Sequence, residues 1–287
     1  MKLPAILALF SATLLAPHAT ADEAQVLSPK GKAYDFPTGT KITREVSFAM
    51  KDAKMSIVAA AGKSIEGTMD RTDTLLTTTE ILAPGKFRHV EVKKEAGGKV
   101  VIAGNEQAVP QPANSLAGVP LVVEGSEGKF TSTLENGTAT PEQEKQLPAL
   151  LARFTAAVAA SAKYGDSPHK PGDKWDGELA SVSALAGIEQ IKGTCTVEFL
   201  KTEDFEGVPC AVLKLAVDVT GVPPEASGTG GTIAMKGESV VHRSLADHID
   251  LDGKLEGTMI LDIQRSGRKV HTTGSCTATE KVTLKKP

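Results

Sequence analysis

The densest group of metal-ligating residue types lies between Asp247 and Gly253, where the sequence is DHIDLDG. Carboxylates at alternate positions bind Ca²⁺ in EF-hand loops, which need oxygen ligands at positions 1, 3, 5 and 12. A loop that begins at His248 has an imidazole in the first position and Met259 in the twelfth, so the pattern fails at both ends. We therefore interpret this stretch as an acidic turn between two strands.

No other group of residues forms a recognisable catalytic or metal-binding pattern. His242 and His248 lie six residues apart, but a predicted turn separates them and no third ligand is spaced to complete a site. Residues 61–64, AGKS, resemble the end of a phosphate loop, yet Ile57 occupies a position that requires glycine. There is no G-x-S-x-G motif, and Cys210 has no histidine near it in sequence. We predict no catalytic residues, no metal and no cofactor, and a protein that is not an enzyme.

The first 21 residues have the pattern of a secretory signal peptide. Lys2 is followed by a mostly apolar run from Leu3 to Leu15, and small residues at Ala19 and Ala21 predict cleavage before Asp22. No second apolar segment follows that could cross a bilayer. We therefore expect an exported protein, periplasmic or extracellular, whose mature chain has no integral membrane segment.

Composition excludes some binding functions. The net charge of −3, with both signs mixed, argues against nucleic acid as a partner. Aromatic residues make up only 4% of the chain, which disfavours carbohydrate recognition because sugars usually stack on exposed rings.

Three cysteines in an exported chain allow one disulfide and one free thiol. Cys195 and Cys276 each alternate in phase with apolar residues, whereas Cys210 alternates out of phase with its apolar neighbours. We predict a Cys195–Cys276 disulfide. A bulge at Pro209 would reverse the phase and make Cys195–Cys210 the alternative.

Most of the chain has the period-two alternation of β-strands, interrupted by Gly, Pro and Asp. Residues 105–118 are predicted to be a loop, and Asp247–Gly253 a turn. The predicted strands are residues 40–51, 65–82, 86–94, 99–103, 121–123, 129–134, 191–201, 208–219, 232–243, 254–264 and 269–285.

One segment has helical periodicity. Thr140, Pro141 and Gln143 form a capping-box pattern, and the helix is predicted from Pro141 to about Lys163, before Gly165. The apolar face of this helix is a candidate lining for a ligand cavity. Trp175 is a further candidate: it forms either a wall of that cavity or, as we favour, a core anchor where a strand begins. The helical candidates are Leu147, Leu150, Leu151, Phe154 and Val158.

These elements predict an α+β protein of mostly antiparallel strands, with a curved or half-barrel meander sheet around one central helix. Residues 22–287 would form a single β-rich domain. Its two β segments, at about 40–135 and 174–285, would be joined by the helix at about 141–163.

A four-residue echo, EGTM, occurs at 66–69 and at 256–259. A match this short is expected by chance in a chain of this length, so it does not indicate a duplication. Both copies place a glycine, Gly67 or Gly257, on the apolar face of a predicted half-buried strand. We expect the strand to bend, or another element to pack closely, at these glycines.

The turn His169–Trp175, HKPGDKW, lies after a helix and before a β meander. In this order it resembles uncharacterised exported bacterial proteins that carry a K-P-G-D-x-W turn in a domain of unknown function. The architecture also resembles periplasmic lipoprotein carriers, in which an unclosed barrel encloses helices and an apolar cavity. Neither resemblance implies catalytic residues.

We therefore expect a non-enzymatic exported binding or carrier module whose partner is a lipid or other apolar small molecule. The first alternative is a structural or protein-interaction component of the cell envelope, with a solid core and an unknown protein partner. A less favoured alternative is a hydrolase whose site is assembled from residues distant in sequence.

Overall fold

The computed structural model describes residues 23–29, 35–58, 62–111, 114–126, 129–160, 162–180, 188–223, 230–265 and 268–287. The predicted signal peptide, residues 1–21, lies outside these ranges. Within them the elements follow in the order β1 (Gln25–Val26), β2 (Lys41–Val58), β3 (Ser64–Ala83), β4 (Lys86–Ile102), β5 (Asn105–Ala108), β6 (Leu121–Ser126), β7 (Lys129–Leu134), α1 (Pro141–Ala160), β8 (Pro168–His169), β9 (Lys174–Asp176), β10 (Glu189–Phe205), β11 (Val208–Val222), β12 (Gly230–Ser244), β13 (Asp250–Arg265) and β14 (Arg268–Lys285).

Antiparallel pairing joins most strands into one large sheet. Its twelve strands are β2–β7 and β9–β14. The order runs from the edge strand β7 through β6, β4, β3, β2, β14, β13, β12, β11 and β10 to β9, and β5 pairs with β4 off this path. The sheet is open and curved rather than a closed barrel, with one helix beside it. The predicted fold class is therefore confirmed.

The helix begins where the capping box predicts. The Thr140 backbone N–H donates to the Gln143 side chain over 2.9 Å, and the Gln143 N–H donates to the Thr140 hydroxyl over 3.3 Å. These reciprocal bonds satisfy backbone donors that the first turn leaves unpaired. The helix extends from Pro141 to Ala160, slightly shorter than predicted.

The helix covers only one end of the long strands. Leu150 and Phe154 of α1 are buried there, among residues from the near ends of β2, β4, β6, β13 and β14. We call the sheet face toward α1 the inner face, and the part of the strands beyond the helix the far half. Along the far half of β13 the inner side chains are only half-buried, whereas those of the outer face are exposed.

The two glycines of the EGTM echo permit close approach of neighbouring strands. A Cβ added to Gly67 would lie 2.3 Å from the Val101 carbonyl oxygen, and one added to Gly257 would lie 2.4 Å from that of Lys236. Any side chain at these positions would displace the neighbouring backbone. The expected close packing at both glycines is confirmed.

Two sequence interpretations are corrected by the strand pairing. Residues 105–108, predicted to be a loop, form β5 against β4; all four are exposed, so no alternation of apolar residues could reveal the strand. Strand β13 begins at Asp250, inside the stretch interpreted as a turn. Its first residues belong to the site described below.

The predicted Cys195–Cys276 disulfide is also corrected. Cys195 lies on β10 and Cys276 on β14, with β11, β12 and β13 between them. The cysteines occupy one row of the sheet, so strand spacing alone separates them by about 19 Å along it, far beyond the reach of a disulfide. Both are buried free thiols, as is Cys210. A shared face was a correct inference, but alternation says nothing about how many strands intervene.

Candidate functional site

A cavity of about 280 Å³ lies on the inner face, beside the region that α1 covers. Its apolar lining comes mainly from five adjacent strands, β11, β12, β13, β14 and β2. The apolar side chains that line it are Val46, Phe48, Leu215, Val217, Met235, Val241, Leu255, Met259, Cys276 and Ala278. Since alternate residues of each strand share a face, regular pairing across these strands assembles this lining.

The end of the cavity nearest the helix is charged. Lys163, which follows α1, and Asp250, the first residue of β13, both line it, and the Lys163 ammonium donates to the Asp250 carboxylate. Arg243 donates to the other oxygen of Asp250 over 2.7 Å, and the Tyr164 hydroxyl donates to this carboxylate over 3.1 Å. All four side chains are buried. We call these four residues the ionic cluster.

The two cations lie on the same aromatic ring. The Lys163 ammonium and the Arg243 guanidinium are each 4.7 Å from the centre of the Tyr164 ring. Cations are attracted to the electron-rich faces of aromatic rings, most strongly where water is excluded. Tyr164 therefore stabilises both positive charges in addition to binding Asp250.

Burial and charge oppose each other in setting the protonation of the ionic cluster. Burial alone raises the pKa of Asp250, but the positive charges and hydrogen bonds of Lys163 and Arg243 outweigh it and hold that pKa well below its usual range. Burial and the negative charge of Asp250 raise the pKa of Tyr164 well above its usual value. Asp250 is therefore an ionised acceptor, and the Tyr164 hydroxyl stays a donor.

The chain near its N-terminus completes the cluster. The Arg243 Nε donates to the Leu27 carbonyl oxygen over 2.6 Å, and its guanidinium also contacts the Ser28 hydroxyl at 3.4 Å. Strand β1, just before these residues, pairs with β8. Arg243 is thus directed toward Asp250 and the N-terminal segment, whereas Lys163 is the cation that lines the cavity.

A second ion pair borders the same cavity. Glu280 of β14 lines it and lies 3.2 Å from the Arg44 Nε of β2. Both side chains are about one-quarter exposed. The cavity therefore has two carboxylates in its lining, Asp250 and Glu280, each paired with a cation.

The helical residues predicted to line a cavity are placed elsewhere. Leu150 and Phe154 are buried in the core under α1, and Leu147 and Leu151 pack against it. Phe154 contacts the rings of Phe87 and Phe130, with centroids 5.4 and 4.8 Å away. The side chain of Val158 lies outside the described part of the structure. None of the described helical candidates borders the 280 Å³ cavity.

Trp175 has the environment of a core anchor. Its indole N–H donates to the Tyr164 carbonyl oxygen over 3.1 Å, and its ring stacks on His169 with a centroid separation of 3.6 Å. The K-P-G-D turn fixes its position, because the Gly172 N–H donates to the Phe199 carbonyl and the Phe199 N–H to the Asp173 carbonyl. Trp175 therefore holds in place the backbone of Tyr164, a member of the ionic cluster.

Sequence analysis did not predict the ionic cluster: Asp250 was assigned to an acidic turn, and Lys163, Tyr164 and Arg243 were not identified as site residues. Regular alternation from Leu251 and Gly253 would turn Asp250 to the outer face. A shift in register after His242 instead pairs Asp250 with Arg243. A bulge of this kind has no signature in the residue pattern. The one available signal was the arginine at 243 in a strand of otherwise alternating residues.

The remaining histidines and acids form smaller groups. His89 is buried beside α1 with Thr79 at 2.9 Å, and burial together with Arg153 and Arg44 lowers its pKa to about 4. His242 lies between Glu203, at 2.9 Å, and the stacked ring of Phe205. Within the described ranges, no three His, Cys, Asp or Glu side chains are grouped closely enough to hold a metal ion.

A larger concavity of about 720 Å³ lies on the outer face of β10–β13. Its charged side chains are exposed and form ion pairs across the strands, such as Lys236 with Asp218 at 2.7 Å. Exposed pairs of this kind are well solvated and contribute little energy. The smaller inner cavity is the better candidate because it combines apolar walls with buried polar groups.

Comparison with solved structures finds five matching chains, among them the following one. A Bacteroides fragilis protein, provisionally named as exported and having a YmcC-like fold, is 13% identical; the alignment covers 90% of this chain and 99% of that one, with a TM-score of 0.22. No protein-family profile matches the sequence. The search of curated proteins likewise found no match. Among the described residues, no helix has the length and apolar composition needed to cross a bilayer.

Proposed function

We propose that the protein is an exported, non-enzymatic binding or carrier module that holds an apolar or lipid-like ligand in the inner-face cavity. The observation that carries the proposal is the cavity itself, whose walls are mostly apolar and whose charged groups, Lys163, Asp250 and Glu280, lie at one end. Sites for small molecules usually combine apolar walls with a few placed polar groups. The signal-peptide pattern at residues 1–21 is the support for export.

The chemistry of the lining supports binding rather than catalysis. Asp250 is held ionised by two cations, so it is a poor proton acceptor at neutral pH. Burial raises the pKa of the Cys276 thiol, which disfavours the nucleophilic thiolate. Asp250 and Glu280 are two carboxylates in one cavity, as a hydrolase would need, but their pairing with cations favours a structural role.

Native mass spectrometry of the exported protein, with extraction of co-purifying lipid, tests the proposal. We expect a bound apolar molecule, or uptake of added fatty acid or phospholipid by the stripped protein. A ligand-free spectrum with no uptake of either would contradict it.

A matched pair of variants locates the site. Met259→Arg introduces a charge on the inner face, where Met259 lines the cavity and is half-buried, and should reduce uptake at least tenfold. Thr258→Arg introduces the same group one residue away on the exposed outer face and should leave uptake unchanged. Equal uptake by the two variants would exclude this cavity as the site.

One observation favours the alternative of a protein-interaction component. Beyond the cavity the inner face continues as half-exposed apolar side chains, among them Ile57, Leu261 and Val270. Such surfaces also occur where proteins associate. Absence of lipid uptake together with normal folding would shift the interpretation to this alternative.

A further inference from the structure

We propose that the ligand is a single-chain lipid with an uncharged polar group, such as a long-chain alcohol or ester, and that the Ser239 hydroxyl binds this group. The inference rests on the proposed function and specifies its ligand class. Three features of the cavity support it: the pairing of the charges in its lining, the place of Ser239 in its apolar wall, and its volume.

The charged side chains described in the lining are all paired. Asp250 accepts hydrogen bonds from Lys163 and Arg243. Glu280 lies 3.2 Å from the Arg44 Nε. A charged head group of either sign would have to break one of these pairs or lose hydration without gaining a counter-charge, and both are costly. The lining therefore favours a ligand without charge.

Ser239 provides an uncharged polar group in the apolar wall. It lies on β12 between its cross-strand neighbours Leu215 and Leu255, and all three line the cavity. Ser239 is half-buried, and its hydroxyl makes no hydrogen bond with any residue that the structure describes. A hydroxyl has one donor and two acceptor sites, so it can bind a hydroxyl or carbonyl oxygen of a ligand.

The Ser239 hydroxyl lies apart from the ionic cluster. Ser239 and Arg243 are four residues apart on one face of β12, which corresponds to about 13 Å of strand. Thr279, the other uncharged polar residue of the lining, lies between Ala278 and Glu280 on β14, so strand alternation directs its hydroxyl to the outer face. Ser239 is therefore the side chain placed to recognise an uncharged group between apolar walls.

The volume of the cavity favours a ligand with one chain. About 280 Å³ is near the lower limit for ligand pockets. Met259, four residues after Leu255 on β13, also lines the cavity and is half-buried. A chain held at Ser239 can therefore extend past Met259 along the apolar inner face of the far half.

Binding of decanol, decanoate and decylammonium at pH 8, measured by calorimetry, tests the charge of the ligand. The three share a chain and have an uncharged, a negative and a positive head group. Because neither ion gains a counter-charge in the lining, we expect decanol to bind roughly tenfold more tightly than either, or better. A charged ligand that binds as tightly as decanol would overturn the uncharged assignment and leave the carrier function standing. Failure of all three to bind would contradict the carrier function itself.

Variants at Ser239 test its role in recognition. Ser239→Ala removes the hydroxyl and should weaken decanol binding roughly 2- to 10-fold, the range expected for one neutral hydrogen bond. Ser239→Thr keeps a hydroxyl and should retain most of the affinity. Ser275→Ala makes the same change at an exposed position of β14 and should have no effect. Undiminished binding of decanol by Ser239→Ala would overturn the role of Ser239.

Removal of one lining carboxylate tests whether charge pairing sets the preference. Glu280→Gln takes away the negative charge beside Arg44 and should strengthen decanoate binding roughly two- to fivefold. Glu256→Gln, at an exposed position of β13, is the matched control and should leave it unchanged. Equal decanoate affinities in the two variants would overturn the explanation by charge pairing.

Discussion

The two ends of the long strands have the same alternating pattern but different environments. At the helix end, inner-face residues such as Phe87 and Val123 are almost completely buried beneath Leu150 and Phe154. In the far half, Ile263 and Val270 also point to the inner face, yet they are only half-buried. One sheet therefore contains a packed core and an open apolar surface, with the candidate cavity between them.

The difference shows that alternation determines which face a side chain occupies, whereas burial depends on what covers that face. Helix α1 and the N-terminal segment cover the near end. Burial there is deep enough to change protonation, as the lowered pKa of His89 shows. A binding surface needs apolar groups that remain partly accessible, which is the condition of the far half.

The largest expected effect comes from truncating the packed end. Phe154→Ala removes a buried ring that contacts two others and should lower the free energy of unfolding by about 4 kcal/mol. Ile263→Ala, the matched change in the far half, should lower it by about 1 kcal/mol because the side chain is already half-exposed. Urea denaturation measures both. Equal losses would show that the two ends are packed alike.

Removing the central anion of the ionic cluster should have the next largest effect. Asp250→Asn leaves Lys163 and Arg243 buried without their carboxylate and should lower the free energy of unfolding by about 3 kcal/mol at pH 7. Asp262→Asn removes an exposed carboxylate that pairs with His271 and should change it little. A stability of the Asp250 variant equal to that of the control would mean that the cluster is solvated.

His89 should make the packed end sensitive to acid. Its pKa of about 4 in the folded protein is below the unfolded value of about 6.5, so the unfolded chain binds more protons between these pH values. The stabilisation is complete above about pH 6.5 and is lost as the pH falls toward 4, by about 2 kcal/mol after allowance for residual exposure.

His89→Gln should remove this contribution from the pH dependence of unfolding. His271→Gln, at an exposed histidine, is the control and should retain it. Identical pH profiles for wild type and His89→Gln between pH 6.5 and 4 would contradict the assignment.

The smallest expected effect concerns curvature in the far half. Gly257→Ala places a methyl group against the Lys236 carbonyl and should lower the free energy of unfolding by about 1.5 kcal/mol. Gly253→Ala, on the same face of the same strand, meets only a Val241 methyl at 3.5 Å and should be tolerated. Thermal unfolding of both variants measures the difference, and tolerance of both would show that the close approach at Gly257 is dispensable.

Much of the fold could be predicted from local patterns. Alternation identified the long strands, and the capping box at Thr140 and Gln143 located the start of α1. Strand β5 was not predicted because its four residues are all exposed, so its sequence shows no alternation of apolar and polar side chains. The cavity was assigned to the helix, since an apolar helical face in the sequence looks the same whether it packs against a core or lines a space.

The sequence by itself determined most strand faces and the beginning of the helix, because these depend on neighbours within a few residues. Tertiary structure decided the strand order that separates Cys195 from Cys276, and the register shift that pairs Asp250 with Arg243. It also brought Lys163 to Asp250. These contacts join residues up to more than two hundred positions apart, as with Arg243 and Leu27. Their geometry depends on the curvature of the whole sheet, which no local pattern encodes.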